Sequence, residues 1–310
     1  MLRVAYCLSP YHLLEALSFY DPSGQMIILA KNGEHYAPLL AELSALTVLP
    51  IEERKNVLRE LVERNEKFDF YFATLWNRTA LLLERAALRS GGHVNIFDDG
   101  ASGGFDPVRR TWRDWRYPVR WLAFALVDGT QYCDHQQEKR YDPARTTFHS
   151  IRPDLMPVPS KSIDLPALRG FLVRLKPHFD HLAEYRGLPV FFDTNDHDWY
   201  PFEQKVEILK SLLPNEPTIY LAHPDQRLSV VPHLPQLIDL TDKVHCWNEL
   251  ASFFIQPKAV YSTFSTCAFT LRHIFGLPFE NHFMFEEFYR RTGSIGFVIK
   301  PTMRAYFEGM

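Results

Sequence analysis

The chain has 310 residues, enough for about two domains of ordinary size, and its 46% hydrophobic content can fill a proper core. A net charge of −3 leaves no basic footprint for nucleic acid, and no run of roughly 18 apolar residues suggests a transmembrane helix. The cysteines Cys7, Cys133, Cys246 and Cys267 show no metal spacing and fit the reduced thiols of a cytosolic enzyme.

Residues 2–8 form a compact apolar run, read as a first buried strand rather than a signal peptide. Ser9-Pro10 then opens a helix carrying Leu13, Leu14, Leu17 and Phe19, with Ser9 as its cap and Pro10 at its first position. His12 is either a substrate contact in a crevice or a structural first-turn residue. Residues 25–30 read as a second strand, 36–46 as an apolar-faced helix and 48–50 as a short extended piece. A charged amphipathic helix over 52–66, a buried strand over 68–73, a helix over 78–90 and a strand over 93–97 follow. Repeated strand–helix pairs predict a parallel, doubly wound sheet with right-handed crossovers.

That strand runs into Asp98-Asp99-Gly100-Ala101-Ser102-Gly103-Gly104. Functional residues of parallel sheets sit beyond the strands' carboxyl ends, and two neighbouring carboxylates suit a proton acceptor for a substrate hydroxyl. The glycines permit positive φ and close approach of a bulky ligand. Ordinary Asp-Gly turn chemistry is the competing reading. Between residues 109 and 128, Arg109, Arg110, Arg113, Arg116 and Arg120 interleave with Trp112, Trp115, Tyr117, Trp121 and Phe124. This stretch reads either as a membrane-surface segment or as an internal or subunit interface, with Pro118 breaking any long helix.

Residues 151–165, rich in Pro and Ser, read as a linker, and 165–185 as helical with a break at Pro177. The second half opens with a strand over 188–192 that enters Asp193-Thr194-Asn195-Asp196-His197-Asp198. The spacing matches no compact metal motif, so a substrate or catalytic loop is preferred to a metal site. A helix over 202–213 and a strand over 218–222 lead to His223-Pro224, where a strand-end histidine is well positioned to donate to a phosphate. Residues 243–246 read as a strand, 247–255 as a helix, and 259–263 as a strand. Ser265-Thr266 then opens another helix, which Gly276-Leu277-Pro278 stops. Small hydroxyl residues at that helix start suit a phosphate, with plain capping by Ser265 or Thr263 as the alternative. The tail from Glu286 is expected to be partly helical and to pack back across the first domain.

Phe97-Asp98-Asp99-Gly100, His223-Pro224 and Ser265-Thr266 resemble, in order, the acidic-Gly, His-Pro and Ser-Ser/Thr motifs of bacterial sialyltransferases. The opening Cys7-Leu8-Ser9-Pro10-Tyr11-His12-Leu13-Leu14 and the line Asp99-Gly100-Ala101-Ser102-Gly103 are most similar to glycosyltransferase family 52, which includes lipooligosaccharide sialyltransferases. The resemblance implies a GT-B architecture: two Rossmann-like doubly wound domains facing across a cleft. The division expected here is residues 1–155 for the acceptor and 156–310 for the CMP-sugar. It also implies inverting transfer without a metal or other cofactor. His223, Pro224, Ser265, Thr266 and Thr263 would bind the donor, while Ser9, His12, Gly100 and Ser102 would line the acceptor side. Related families use the first acidic residue of the Asp-Asp-Gly motif as base, which maps to Asp98 beside Asp99. In family 52 the base lies on a loop shortly before the His-Pro motif, which maps to 193–198 and favours Asp196 or Asp198.

The expected partners are therefore a CMP-sugar and a glycan or glycolipid acceptor, with no nucleic acid. A homodimer and a peripheral contact with the cytoplasmic face of the inner membrane, through residues 109–124, are further expectations for a cytoplasmic protein. Two other readings compete: a related transferase using CMP-Kdo, another nonulosonate or a nucleotide hexose, and a non-catalytic glycan or nucleotide-sugar binding protein.

Overall fold

The computed structural model describes residues 1–73, 78–97, 105–107, 144–151, 153, 159–163, 170, 172–194, 201–223, 228–244, 247–263, 265–292 and 297–299. Two compact units divide the chain: Met1–Asp99 with Arg110–Leu168, and Gly100–Arg109 with Arg169–Met310.

The first unit begins with β1 (Leu2–Cys7), α1 (Pro10–Leu17), β2 (Met26–Ala30), α2 (Gly33–Leu40) and β3 (Leu46–Pro50). It continues through α3 (Arg54–Glu63), β4 (Phe68–Phe72), α4 (Arg78–Arg89) and β5 (Val94–Phe97). After β6 (Phe105–Pro107), which belongs to the second unit, it closes with β7 (Thr146–Ser150) and β8 (Ser160–Ser162). All strands of its sheet are parallel, in the order β3-β2-β1-β4-β5-β7-β8. Strand alternation sorts the two faces. Leu2, Val4 and Tyr6 join Phe68, Phe70, Phe72, Val94 and Ile96 in one core with Val57 and Leu61 of α3 and Leu81, Leu83 and Ala87 of α4. The other face carries Tyr71, Phe97 and His149, packed around Phe19 at ring-centroid distances of 4.7–5.7 Å. Gly92 enters β5 so close to β4 that a Cβ there would stand 1.7 Å from the Phe68 carbonyl oxygen.

The second unit holds a 3-10 helix (Lys176–Tyr185), β9 (Val190–Phe192), α5 (Phe202–Leu212), β10 (Thr218–Leu221) and β11 (Leu237–Asp239). Beyond them lie α6 (Thr241–Val244), α7 (Asn248–Ile255), β12 (Ala259–Ser262), α8 (Thr266–His273), β13 (Glu280–Phe283), α9 (Phe285–Thr292) and β14 (Phe297–Ile299). Its sheet is also all parallel, ordered β11-β10-β9-β12-β13. β14 pairs antiparallel with β6. Each unit thus runs its first strands outward one way and its later strands the other, the Rossmann-like order. The strand order reverses beside β1 in the first unit and beside β9 in the second.

Several expectations change. The expected division at residue 155 falls before β8, which pairs with β7 and carries the first unit past the Pro- and Ser-rich stretch. Lys243 and Val244, expected to begin a strand, lie in α6, where the Asp239 side chain accepts from the Thr241 amide at 2.9 Å as the chain turns into the helix. The strand of this region is β11, and residues 245–246 lie outside the described residues. The helix expected over 36–46 ends at Leu40, and the chain passes through a left-handed Ala45 (φ 60°) into β3. Within the second unit α9 packs on α5, with Gln204 Nε2 donating to the Arg291 carbonyl and Arg291 Nη1 to Ser211 Oγ.

Candidate functional site at the carboxyl end of the second sheet

β9 delivers Asp193 and Thr194 to the point where the strand order of the second sheet reverses. The Asp193 amide extends the ladder by donating to the Leu221 carbonyl at 3.0 Å. Its carboxylate is sealed from solvent between the Lys205 ammonium, at 2.7 Å, and the Tyr220 hydroxyl, which donates at 2.9 Å. Burial, then the neighbouring carboxylate, pushes the Tyr220 phenol far up. Lys205 Nζ also donates to the Thr194 carbonyl at 3.2 Å, and the Asp193 side chain accepts from the Thr194 amide at 2.8 Å. Thr194 Oγ1 lies 2.8 Å from Thr263 Oγ1, past the end of β12. A buried ion pair is tolerated when such additional hydrogen bonds satisfy both charges. Asp193, though first in the acidic loop, is therefore a brace beneath the site.

The neighbouring strand end is anchored in the same way. The Ala222 carbonyl accepts from Asn248 Nδ2 at 2.8 Å, and its amide donates to Thr241 Oγ1 at 3.1 Å. The next residue, His223, is exposed. On the other side of β9, Ser265 has extended backbone and caps α8, its Oγ accepting from the Cys267 amide at 3.2 Å. Thr266 is the first residue of that helix. Behind its first turn, burial raises both the Glu249 carboxyl and the Cys267 thiol, favouring the uncharged forms. The start of a helix carries the positive end of its dipole and N–H groups without intrahelical partners, which suits an anion.

The first unit treats its strand end differently. Ser9 Oγ accepts from the His12 amide at 3.2 Å, capping α1, and the Leu8 amide donates to His12 Nδ1 at 3.2 Å. His12 is buried. Burial, reinforced by Glu15, pushes the Cys7 thiol far up. On the face shared with Phe97, His149 Nε2 lies 3.0 Å from Asn95 Oδ1. Desolvation, then the charge of Lys161, brings the His149 imidazole down to about 4.

Of the residues expected to form the site, His223, Thr263, Ser265 and Thr266 gather at the carboxyl end of the second sheet. Ser9 and His12 lie at the start of the first helix. Asp98, Asp99, Gly100, Ser102, Asp196, Asp198 and Pro224 lie outside the described residues, as does the Arg- and Trp-bearing stretch 109–128. The brace of Asp193, Lys205, Tyr220 and Thr194 escaped sequence reasoning. A signal was available for Lys205: it stands one helical turn before Leu209, on the face of α5 that is buried. Among the described residues, no group of three or more His, Cys, Asp or Glu could hold a metal ion, and no helix is long and apolar enough to cross a membrane.

No family model matches the chain, and no curated protein is similar to it. Among solved structures, MurG of Acinetobacter baumannii is similar over 87% of this chain and 76% of its own, with 9% identity and a TM-score of 0.37. A citrate-bound domain of unknown function from Bordetella bronchiseptica covers 87% of this chain and 85% of its own, at 12% identity and a TM-score of 0.20.

Proposed function

We propose that the chain is a glycosyltransferase moving sialic acid from CMP-sialic acid to a hydroxyl of a galactoside acceptor on a cell-surface glycan. The observation that carries this reading is the pairing of an exposed histidine, His223, with the Ser265-capped start of α8 on strand ends flanking β9. A helix start and a histidine donor suit the phosphate of CMP as a leaving group. In the step, the acceptor oxygen bonds to the anomeric carbon as the bond from that carbon to the phosphate oxygen breaks. The electron pair stays with CMP, and the acceptor's proton passes to a carboxylate. No step requires a metal. Asp196 or Asp198 is the favoured base, with Asp98 or Asp99 the alternative. A lipooligosaccharide or capsular acceptor fits a peripheral contact with the inner membrane through the Trp and Arg residues between 109 and 124.

A ligand that binds only the folded state raises its stability, so CMP should raise the melting temperature and UDP should not. Incubation with CMP-sialic acid and a panel of galactosides, followed by mass spectrometry, should then yield a sialylated product. Stabilisation by CMP with transfer only from CMP-Kdo would move the assignment to a related transferase. Failure to release CMP with any acceptor would make the chain a binding protein.

A further inference from the structure

The ladder between β9 and β12 ends at Ser262, paired with Phe192. One residue past Ser262 and two past Phe192, the strands stay joined by the hydroxyls of Thr263 and Thr194, 2.8 Å apart and both buried. Thr194 is itself pinned, its carbonyl by Lys205 Nζ at 3.2 Å and its amide by the Asp193 side chain at 2.8 Å. Thr263 lies two residues before Ser265, which caps α8. Hydrogen bonds thus run from α5 through the end of β9 to Thr263, two residues before the cap of α8.

We propose that Thr194 is a positioning residue for the donor phosphate: its hydroxyl, bonded to Thr263, fixes the segment that starts α8 and so aims that helix's free N–H groups at the anion. This role rests on the donor-site reading above. Thr194 is buried, and the β9–β12 ladder has already ended where the hydroxyl bond joins the two strand ends. The hydroxyl, rather than the volume of the side chain, carries the effect.

The test measures CMP affinity by calorimetry for the wild type, Thr194→Val, Thr194→Ser, Thr263→Val and the double valine variant, each checked for a cooperative thermal transition. Thr194→Val, nearly isosteric but lacking the hydroxyl, should weaken CMP about five- to tenfold, the size of one hydrogen bond. Thr194→Ser should bind within about twofold of wild type, since the hydroxyl that carries the effect remains. Donor KM should rise while acceptor KM holds. The double variant should bind no worse than the weaker single variant, because both valines break one bond. If Thr194→Val does not fold, Thr263→Val breaks the same bond from β12 and the serine variant supplies the rescue. Folded valine variants that bind CMP like wild type, or losses that simply add, overturn the role. If wild type binds CMP and His223→Ala weakens it while the valine variants do not, only the positioning role falls. If wild type does not bind CMP at all, the donor-site reading falls with it.

Discussion

At the carboxyl end of β1, the hydroxyl of Ser9 and the imidazole of His12 are both occupied by amides of their own turn, and His12 is buried. At the carboxyl ends of β9, β10 and β12, hydrogen bonding is layered instead. Asp193, Lys205, Tyr220, Thr194 and Thr263 satisfy one another underneath, and His223 stands exposed in front. The two sheets share a strand order, so topology alone does not make a binding rim. The difference lies in what stands beyond the capped helix start: at the first sheet the histidine is buried within its own turn, at the second it is exposed above a buried polar layer.

The largest expected break in this contrast is catalytic. His223→Ala should lower turnover by about two to four orders of magnitude, the range for a lost acid or charge stabiliser, whereas His12→Gln should leave kcat near wild type. Steady-state kinetics on both variants checks the difference, and a wild-type rate in His223→Ala would remove the donor-site assignment.

Comparable in size is the loss of the base. Among Asp98→Asn, Asp99→Asn, Asp196→Asn and Asp198→Asn, the true base variant should be inactive at every pH while still binding CMP. An inactive but folded Asp98→Asn beside active Asp196→Asn and Asp198→Asn would assign the chemistry to the first carboxylate pair.

The brace should reveal itself in stability. Lys205→Met leaves the Asp193 carboxylate buried without its cation and should cost about 3–5 kcal/mol in denaturant unfolding. Adding Asp193→Asn should recover much of that loss, since no charge then remains in the interior. Equal destabilisation of the single and double variants would mean the pair does not matter as a pair.

The first unit should respond to acid through His149. Its folded value of about 4 lies below the ordinary 6.5, so between these pH values the unfolded chain binds more protons. Stability from this group is complete above pH 6.5 and falls as pH drops towards 4. The melting temperature should decrease from pH 7 to pH 5, and His149→Gln should flatten that slope; an unchanged slope would mean that other groups govern it. The smallest effect belongs to the α1 cap: Ser9→Ala should cost about 1 kcal/mol in denaturant unfolding, with no change in CMP affinity.

Much of this architecture is legible in the chain. Apolar runs such as 68–73 and 259–263 end at turn or cap residues, and short strands buried on both faces announce themselves by continuous hydrophobicity. Besides the short pair β6 and β14, the strands that escaped, β7, β8, β11 and β13, are edge or near-edge strands with Thr, Ser, His, Asp and Asn among few apolar residues. Their state is decided by the neighbour they pair with rather than by local pattern. At the site, His223 and Ser265 were visible because strand end and helix start are local events. The Asp193–Lys205 pair was not, because its charges lie on different elements and a lysine between glutamates on a helix reads as a solvated face.

The pairing of β6 with β14 couples the order of synthesis to the completion of the second unit. β6 emerges from the ribosome early, between two strands of the other sheet, and its partner follows roughly 190 residues later, about 10–40 s at ordinary elongation rates. Until then β6 lacks the strand it pairs with in the finished chain. Cutting the gene between the two units would therefore not yield two self-sufficient halves. The carboxyl-terminal fragment would lack β6, and fusing residues 100–109 to it is the route to restoring that strand.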